Sequence, residues 1–276
     1  MCRRRFFAAV LAAALALTLL AGCGPNGGSP AGEKTLTVGM ECDYAPFNWT
    51  QVSGDDYSVA LEGAGYAGGY DVVMARALAD KIGAKLVIKK MSWEGLEPAV
   101  TSGEIDAIIA GMTATPERQE NVDFTTPYYE SEMVCIVRAD DPLAGAVSLA
   151  DFTGKNVQGQ QNTIYDDIID QIPGVNHLTP LGSYPLMVLS LQNGEADALT
   201  AELPVATGVV TSNPSLAIVK FASGQGFEAD TTVSIGVKKG NTQLLNELQA
   251  ALDTISAETR TQWMTDAVAR QPANEG

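Results

Sequence analysis

Two spacings of apolar residues alternate along this chain, one typical of strands and the other typical of helices. The segments LTVGM (36–40) and KLVIKK (85–90) predict half-buried strands. Between them, DVVMARALADKIG places apolar residues at helical spacing, with Asp71 predicted as the N-cap and Gly83 as the residue that ends the helix. This order of strand, helix and strand is typical of α/β domains built on a parallel sheet.

The same order continues as far as residue 221. A second helix is predicted to begin at Ser92 and end at Gly103, before a buried strand in DAIIAG, and Thr115 with Pro116 predicts the start of a third helix. A second set of elements follows from residue 156, with strands at NVQGQ, 176–179, ADALT and LAIVKF and helices at 163–171, YPLMVLSLQN and from Glu202. The pattern therefore predicts two α/β lobes.

One phrase occurs once in each predicted lobe. SGEIDAII (102–109) returns as NGEADALT (193–200), and in both copies a glycine ends a helix and a central strand follows. In open α/β sheets, ligands bind at the carboxyl ends of the strands. The residues that follow each copy are therefore the first candidates for a binding site.

Opposite charges follow the two copies. Gly111, Thr113 and Arg118 come after the first copy, and Glu202 comes after the second. An arginine pairs with a carboxylate in a fixed geometry, and a carboxylate pairs with an ammonium group, so the two residues together predict a site for an α-amino acid. The alternative is that both are ordinary charged residues on exposed turns.

The first 34 residues predict an export signal and a lipid anchor. Three arginines precede an apolar stretch from Phe6 to Leu20, and LAGC (20–23) places small residues before a cysteine. LAGC resembles the bacterial lipobox, which implies removal of residues 1–22, a lipid on Cys23 and a flexible spacer over residues 23–34. The alternative is a plain secretory signal with an incidental cysteine, and the run RRRFF leaves the export route open.

Charge and composition narrow the classes of partner. The net charge is −16, and removal of residues 1–22 leaves 14 basic and 33 acidic residues, or −19. This charge argues against nucleic acid and mildly favours cationic small ligands. His177 is predicted to be a solvated loop residue, and without CxxC or HExxH motifs we predict no metal or cofactor. Spacing leaves open whether Cys42 and Cys135 form a disulfide.

Several segments resemble the extracellular solute-binding proteins of ABC importers for polar amino acids. They include ECDYAPFNW, GGYDVVMARALADKIG, GMTATPER, VDFTTPYY, FTGKNVQGQQNT and LQNGEADALTAELPVA, which together extend over nearly all of residues 35–265. The resemblance implies an α/β, two-lobe periplasmic-binding-protein-like type II fold with two crossover strands and a central cleft. Lobe 1 would comprise residues 35–138 plus 223–270, and lobe 2 residues 139–222.

The resemblance also implies roles for the residues at the strand ends. Arg118 would hold the ligand carboxylate, aided by Thr113 and by the backbone at Ala110 and Gly111. Glu202 would hold the α-ammonium group.

Further positions match ligand side-chain contacts of the family. Tyr44 and Trp93 match an aromatic pair that sandwiches the ligand side chain, although core packing is the alternative for both rings. Glu41 matches an acidic residue near the end of that side chain, and Gln161 with Thr163 matches a loop of lobe 2. These residues predict a ligand with a polar or cationic side chain.

Some features depart from the family pattern. Glu202 stands where Asp is frequent, and Gln158 and Asn162 stand where Gly is frequent, although asparagine tolerates the left-handed conformation that such a turn needs. The segment 50–69 is longer than usual, and it either covers the cleft or extends a surface loop. Its GAGYAG is a weak match to a dinucleotide-binding motif, because no buried strand directly precedes it.

The sequence therefore predicts a monomeric receptor, held outside the cytoplasm by its lipid, that binds an amino acid between two closing lobes. The receptor would deliver this ligand to the permease subunits of an ABC importer. Two alternatives remain open: a dehydratase or lyase on the same fold, with Glu41 or Glu202 as general acid, and a lipoprotein that senses an amino acid. The absence of an evident nucleophile–base pair favours binding over catalysis.

Overall fold

The computed structural model describes residues 33–272, so the predicted signal segment and the lipid-bearing Cys23 lie outside the described residues. The strands, in chain order, are β1 (Thr35–Met40), β2 (Asp43–Tyr44), β3 (Asn48–Gln51), β4 (Val59–Ala60), β5 (Tyr66–Gly68), β6 (Lys85–Lys90), β7 (Ala107–Ile108), β8 (Val122–Phe124), β9 (Tyr129–Glu130), β10 (Met133–Arg138), β11 (Asn156–Gln158), β12 (Asn176–His177), β13 (Ala198–Glu202), β14 (Leu216–Val219), β15 (Thr232–Val233) and β16 (Gly236–Lys238). The α-helices are α1 (Tyr70–Lys81), α2 (Leu96–Ser102), α3 (Ile164–Asp167), α4 (Tyr184–Gln192), α5 (Leu203–Ser212), α6 (Thr242–Leu252) and α7 (Ala257–Arg270).

Two five-stranded sheets form the centres of the two lobes. The strand order is β6-β1-β7-β16-β8 in lobe 1 and β12-β11-β13-β10-β14 in lobe 2. In each sheet, parallel pairs occupy one side of the central strand, β7 or β13, and an antiparallel partner lies on the other side. The strands are apolar because helices cover the sheets, and residues 134–137 of β10 are fully buried.

The chain passes between the sheets twice. The first joining segment, residues 125–132, leads from β8 to β10, and the second, residues 220–231, leads from β14 towards β16. Strand β9, within the first segment, pairs with β15, directly after the second segment, in an antiparallel ladder. This arrangement confirms the predicted α/β fold with two crossovers. The lobe bounds stay a prediction, and β10, on the lobe 1 side of the predicted bound at 138, pairs within the sheet of lobe 2.

The repeated phrase has the same structural role in both lobes. Gly103 and Gly194 follow helices α2 and α4 with φ of 84° and 79°, a conformation that favours glycine. Asp106 then exchanges two hydrogen bonds with Thr37: its N–H donates to the Thr37 carbonyl at 2.8 Å, and its Oδ2 accepts the Thr37 N–H at 2.8 Å. Asp197 makes the same exchange with Asn156, at 2.7 and 3.0 Å. Each aspartate thus fixes the register at which the central strand enters its sheet.

Two predictions about helices, the Asp71 N-cap and the third helix, were wrong. Helix α1 begins at Tyr70 with Gly69 at the N-cap, and Asp71 lies in the first turn, where its buried carboxylate accepts hydrogen bonds from distant side chains. The third predicted helix is a single 3₁₀ turn at Arg118–Glu120. Its residues present no apolar face that could pack a longer helix, and β8 begins directly afterwards.

The histidine and the cysteines also have defined environments. His177 is exposed, as predicted, but lies in strand β12 and not in a loop, because this segment pairs in parallel with β11. Its ring nitrogens bond to Asp166 and Asp170, both at 2.9 Å. Cys42 and Cys135 are buried and free, so the structure contains no disulfide between them. Within residues 33–272, no helix is long and apolar enough to cross a membrane.

The inserted segment 50–69 forms a hairpin against helices of the described chain. Strand β5 pairs antiparallel with β3 on one side and with β4 on the other. Arg76 of α1 donates to the Asp56 carbonyl, and the Arg270 guanidinium at the end of α7 lies 3.8 Å from the centre of the Tyr57 ring. These contacts favour the interpretation of the segment as an extended surface element over a cover for the cleft.

Candidate functional site

Glu202 ends strand β13 and precedes α5, at the carboxyl edge of the lobe 2 sheet. Its side chain is fully buried and accepts three hydroxyl hydrogen bonds: from Tyr44 at 2.5 Å and Tyr165 at 2.7 Å on Oε1, and from Ser131 at 2.7 Å on Oε2. Burial raises the pKa of this carboxyl group. No basic side chain among residues 33–272 lies within ion-pair distance of it.

Arg118, in the 3₁₀ turn of lobe 1, is oriented by two backbone carbonyls. Its Nη1 donates to the Thr113 carbonyl at 2.9 Å, and its Nη2 donates to the Asn162 carbonyl of lobe 2 at 3.0 Å. The guanidinium carbon lies 5.2 Å from the centre of the Trp93 ring, a cation–π geometry. Burial lowers the pKa of Arg118, and within the described chain no carboxylate forms an ion pair with it.

The loop at 160–163 brings lobe 2 against this part of lobe 1. Asn162 has φ of 58°, which confirms that asparagine keeps the left-handed turn at this position. Its carbonyl also accepts the Trp93 Nε1–H at 2.9 Å, and its amide donates to Glu94 at 3.2 Å. Two hydrogen bonds between the lobes, from Trp93 and from Arg118, are therefore accepted by the same Asn162 carbonyl.

Glu41, directly after β1, faces the same loop. Its side chain is 5 % exposed, and the Gln160 amide donates to both of its carboxylate oxygens, at 3.0 and 3.1 Å. Burial raises the pKa of Glu41 to about 7. The Thr163 side chain is buried and donates to the Gln160 carbonyl at 2.7 Å, whereas the Gln161 side chain is exposed. The side chain of this loop that contacts Glu41 is thus that of Gln160, which the sequence did not indicate, and the role of Gln161 stays a prediction.

The two predicted aromatic residues make different contacts. Tyr44 is buried, stacks on Phe47 with ring centres 5.4 Å apart, and lies 5.7 Å from the Tyr184 ring of lobe 2. Trp93 instead packs beside the Arg118 guanidinium. Both rings thus reach lobe 2, Tyr44 near Glu202 and Trp93 at the 160–163 loop.

The backbone after the first repeated phrase is tightly enclosed. Ala110 and Thr113 are each 2 % exposed, and Gly111 has φ of 64°. The Gly111 N–H donates to the Tyr128 hydroxyl at 2.9 Å, so this donor is already paired. A Cβ atom at Gly111 would lie 3.2 Å from Tyr44 Cε1, which explains why a glycine stands beside the aromatic ring.

Behind the site, Asp71 connects two parts of its wall. The fully buried carboxylate accepts hydrogen bonds from Asn48 and Tyr128, both at 2.7 Å. Asn48 in turn accepts the Cys42 N–H at 2.7 Å, next to Glu41, and Tyr128 accepts the Gly111 N–H. Burial raises the pKa of Asp71 to about 7.

These raised pKa values predict how stability depends on pH. Between about pH 4.5 and 7 the folded protein keeps protons on Asp71 and Glu41 that the unfolded chain has lost, so stability falls as pH rises through this window. Each group contributes a slope of up to about 1.4 kcal/mol per pH unit. Urea unfolding at pH 5.5, 6.5 and 7.5 should therefore show falling stability, and Asp71→Asn should flatten the slope. An unchanged slope in that variant would contradict the assignment of Asp71.

An open cavity of about 760 Å³ adjoins Arg118 and the 160–163 loop. Its lining carries four acidic residues, Glu94, Glu97, Glu117 and Asp167. Arg118 is the one basic residue in this lining, so the cavity carries an excess of negative charge, which favours the approach of cationic molecules. Among residues 33–272, no group of His, Cys, Asp and Glu side chains has the arrangement of a metal site.

Comparisons with known proteins place this chain in a family. The chain is 30 % identical to ABC transporter arginine-binding protein 1 of Escherichia coli over 87 % of its own length and 92 % of the relative's. It is 29 % identical to the putative arginine-binding protein 2 of the same organism, over 83 % and 88 % of the two lengths. An amino acid ABC transporter substrate-binding protein from Streptococcus pneumoniae, solved bound to L-arginine, superposes with a TM-score of 0.75 at 28 % identity, covering 85 % of this chain and 94 % of that one.

The model of one protein family matches residues 36–266, nearly all of the described chain. This confirms the resemblance that the sequence indicated, and with it the prediction of a binding protein instead of an enzyme, because the family consists of solute-binding proteins. The dehydratase or lyase alternative therefore loses its support. The chain belongs to the bacterial extracellular solute-binding proteins, family 3.

Proposed function

We propose that this protein is a receptor for an amino acid, whose α-carboxylate pairs with Arg118 and whose α-ammonium group pairs with Glu202. One observation carries the proposal: Glu41, Arg118 and Glu202 lie at contacts between the lobes, and each is bonded only to neutral partners within residues 33–272. Glu41 and Glu202 are buried and Arg118 is half-buried, and charges removed from water normally have partners of opposite charge. The charges of a ligand would supply them.

The balance of these charges favours a ligand with a cationic side chain. Two carboxylates and one guanidinium complement a molecule with one carboxylate and two cationic groups, as in arginine or lysine, and Glu41 would face the end of the side chain. Glutamine and histidine satisfy the same geometry by hydrogen bonding. The arginine-binding relatives and the L-arginine complex support arginine as the first ligand to test.

Ligand capture would proceed by closure of the lobes. Tyr44 to Glu202, Gln160 to Glu41, and both Trp93 and Arg118 to Asn162 are direct hydrogen bonds between lobes, so the described arrangement is one in which the cleft is closed. A ligand that touches both lobes favours this arrangement by its differential contacts with the closed form.

The ligand would then be handed to an ABC permease by a monomeric receptor anchored at the outer face of the membrane. Membership of an extracellular solute-binding family supports export, and LAGC at 20–23 supports a lipid on Cys23. Cys23→Ala should release the protein into the soluble fraction and abolish labelling by a fatty acid. Continued membrane retention in that variant would argue against the anchor.

A thermal-shift screen of the twenty amino acids tests the proposed function. A ligand that binds the folded form stabilises it by about 2.7 kcal/mol at a concentration of 100 times its Kd, which raises the melting temperature. The largest shift is expected with L-arginine, followed by the other cationic or amide amino acids. The absence of a shift with every amino acid would overturn the proposal.

Glu41→Gln should change the preference of the site without abolishing it. Because the ligand cation would lose a charged partner, affinity for L-arginine should fall by about 1.5 to 3 kcal/mol, with little change for L-glutamine. Asp43→Asn is a matched control, since Asp43 is a neighbouring carboxylate that is exposed and paired with Lys90. Calorimetry that shows equal losses for the two ligands would contradict the role of Glu41.

A further inference from the structure

Glu202 is bonded to the segment that joins the lobes as well as to each lobe. Tyr44 of lobe 1 and Tyr165 of lobe 2 donate to its Oε1 atom, whereas the Ser131 hydroxyl donates to Oε2 at 2.7 Å. Ser131 belongs to neither sheet, because it lies between β9 and β10 in the first joining segment. The carboxylate therefore contacts three separately positioned parts of the chain.

The second joining segment reaches the same serine. Thr231 donates from its hydroxyl to the Ser131 carbonyl at 2.5 Å, and the next residue, Thr232, pairs with Glu130 in the β9–β15 ladder. On the other side of Ser131, the Glu132 carbonyl accepts the N–H of Leu203, the first residue of α5, at 2.8 Å. Ser131 is thus held between both joining segments and the strand end that carries Glu202.

We propose that Ser131 is a positioning residue that couples occupancy of Glu202 to the arrangement of the joining segments, with Thr231 holding Ser131 in place. The proposal rests on the proposed function of Glu202 as the ammonium site. Closure of two lobes changes backbone torsions in the segments between them. A ligand that fixes Glu202 therefore favours the arrangement of the joining segments in which the Ser131 hydrogen bond is made.

Removal of the Ser131 hydroxyl, which donates to Glu202, provides the test. Ser131→Ala should weaken L-arginine binding about tenfold, because one hydrogen bond to a charged group is lost, whereas Ser131→Thr keeps the hydroxyl and should restore affinity. Thr232→Val is a matched control, since the Thr232 hydroxyl bonds to Asp230 and not to the site. Titrations followed by tryptophan fluorescence extend to millimolar ligand, and thermal unfolding confirms that each variant is folded.

A double-mutant cycle with Glu202→Gln separates positioning from a general effect on the fold. If Ser131 acts through Glu202, Ser131→Ala should change affinity less than about twofold in the Glu202→Gln background. Equal losses in both backgrounds, or no restoration by Ser131→Thr, would overturn the role of Ser131. Unchanged affinity of the Glu202→Gln single variant would instead overturn the proposed function itself, so the two failures are distinguishable.

Discussion

Replacement of Arg118 by alanine is expected to weaken amino-acid binding by about 3 to 5 kcal/mol, the largest loss we predict for a single substitution. A guanidinium group has five N–H donors, and the carbonyls of Thr113 and Asn162 use two of them. The remaining donors can form a bidentate pair with a carboxylate. Without them the ligand carboxylate would be enclosed in the cleft with no partner of opposite charge.

Two further variants make the Arg118 prediction specific. Arg118→Lys keeps the charge but loses the planar pair of donors, so its affinity should lie between those of the alanine variant and the unaltered protein. Arg76→Ala removes an arginine of lobe 1 that contacts the insertion and should leave affinity unchanged. Calorimetry with similar affinities for Arg118→Ala and Arg76→Ala would exclude Arg118 from the site.

Glu202→Gln is expected to cost about 2 to 5 kcal/mol of binding free energy, and the loss should depend on the α-amino group of the ligand. An ionised carboxylate has about four acceptor positions, and three hydroxyl groups already donate to Glu202, which leaves one for an ammonium group. Glutamine has nearly the same shape but removes the negative charge. Ligands without an α-amino group should therefore bind the variant and the unaltered protein about equally.

Glu132→Gln is the matched control for this substitution. Glu132 is an exposed glutamate close to Ser131 in the first joining segment, and its side chain lies 3.7 Å from Lys220. Calorimetric titrations with L-arginine and with 5-guanidinopentanoate, which lacks the amino group, should show a selective loss in Glu202→Gln alone. Equal losses for both ligands would show that the substitution disturbs the cleft without removing an ammonium contact.

Local sequence patterns were sufficient to predict two α/β lobes because the signals involved act over a few residues, whereas the two crossovers were predicted only from the family resemblance. Gly83, Gly103 and Gly194 each adopt positive φ at a helix end, and the central strands follow the two repeated phrases as expected. Asp71 is a residue whose role local patterns did not predict. An aspartate at a helix start is a capping signal, but its partners Asn48 and Tyr128 lie 23 and 57 positions away and no local pattern indicates them.

The residues of the candidate site likewise include some that the sequence indicated and others that it did not. Arg118 and Glu202 could be proposed from the sequence because each directly follows a recognisable strand entry. Gln160, Tyr165 and Ser131 could not, since they reach Glu41 or Glu202 only in the folded chain, across separations of 119, 37 and 71 positions. Such long-range polar contacts depend on tertiary structure, which residue spacing within one segment does not encode.

Calorimetric titration of the unaltered protein with L-arginine, agmatine and 5-guanidinopentanoate tests the central claim most directly. Agmatine lacks the carboxylate that Arg118 would hold, and 5-guanidinopentanoate lacks the ammonium group that Glu202 would hold. We predict that L-arginine binds and that each analogue binds at least about a hundredfold more weakly, since each leaves Arg118 or Glu202 without a partner of opposite charge. Equally tight binding of either analogue would contradict recognition of an amino acid by both of its ends.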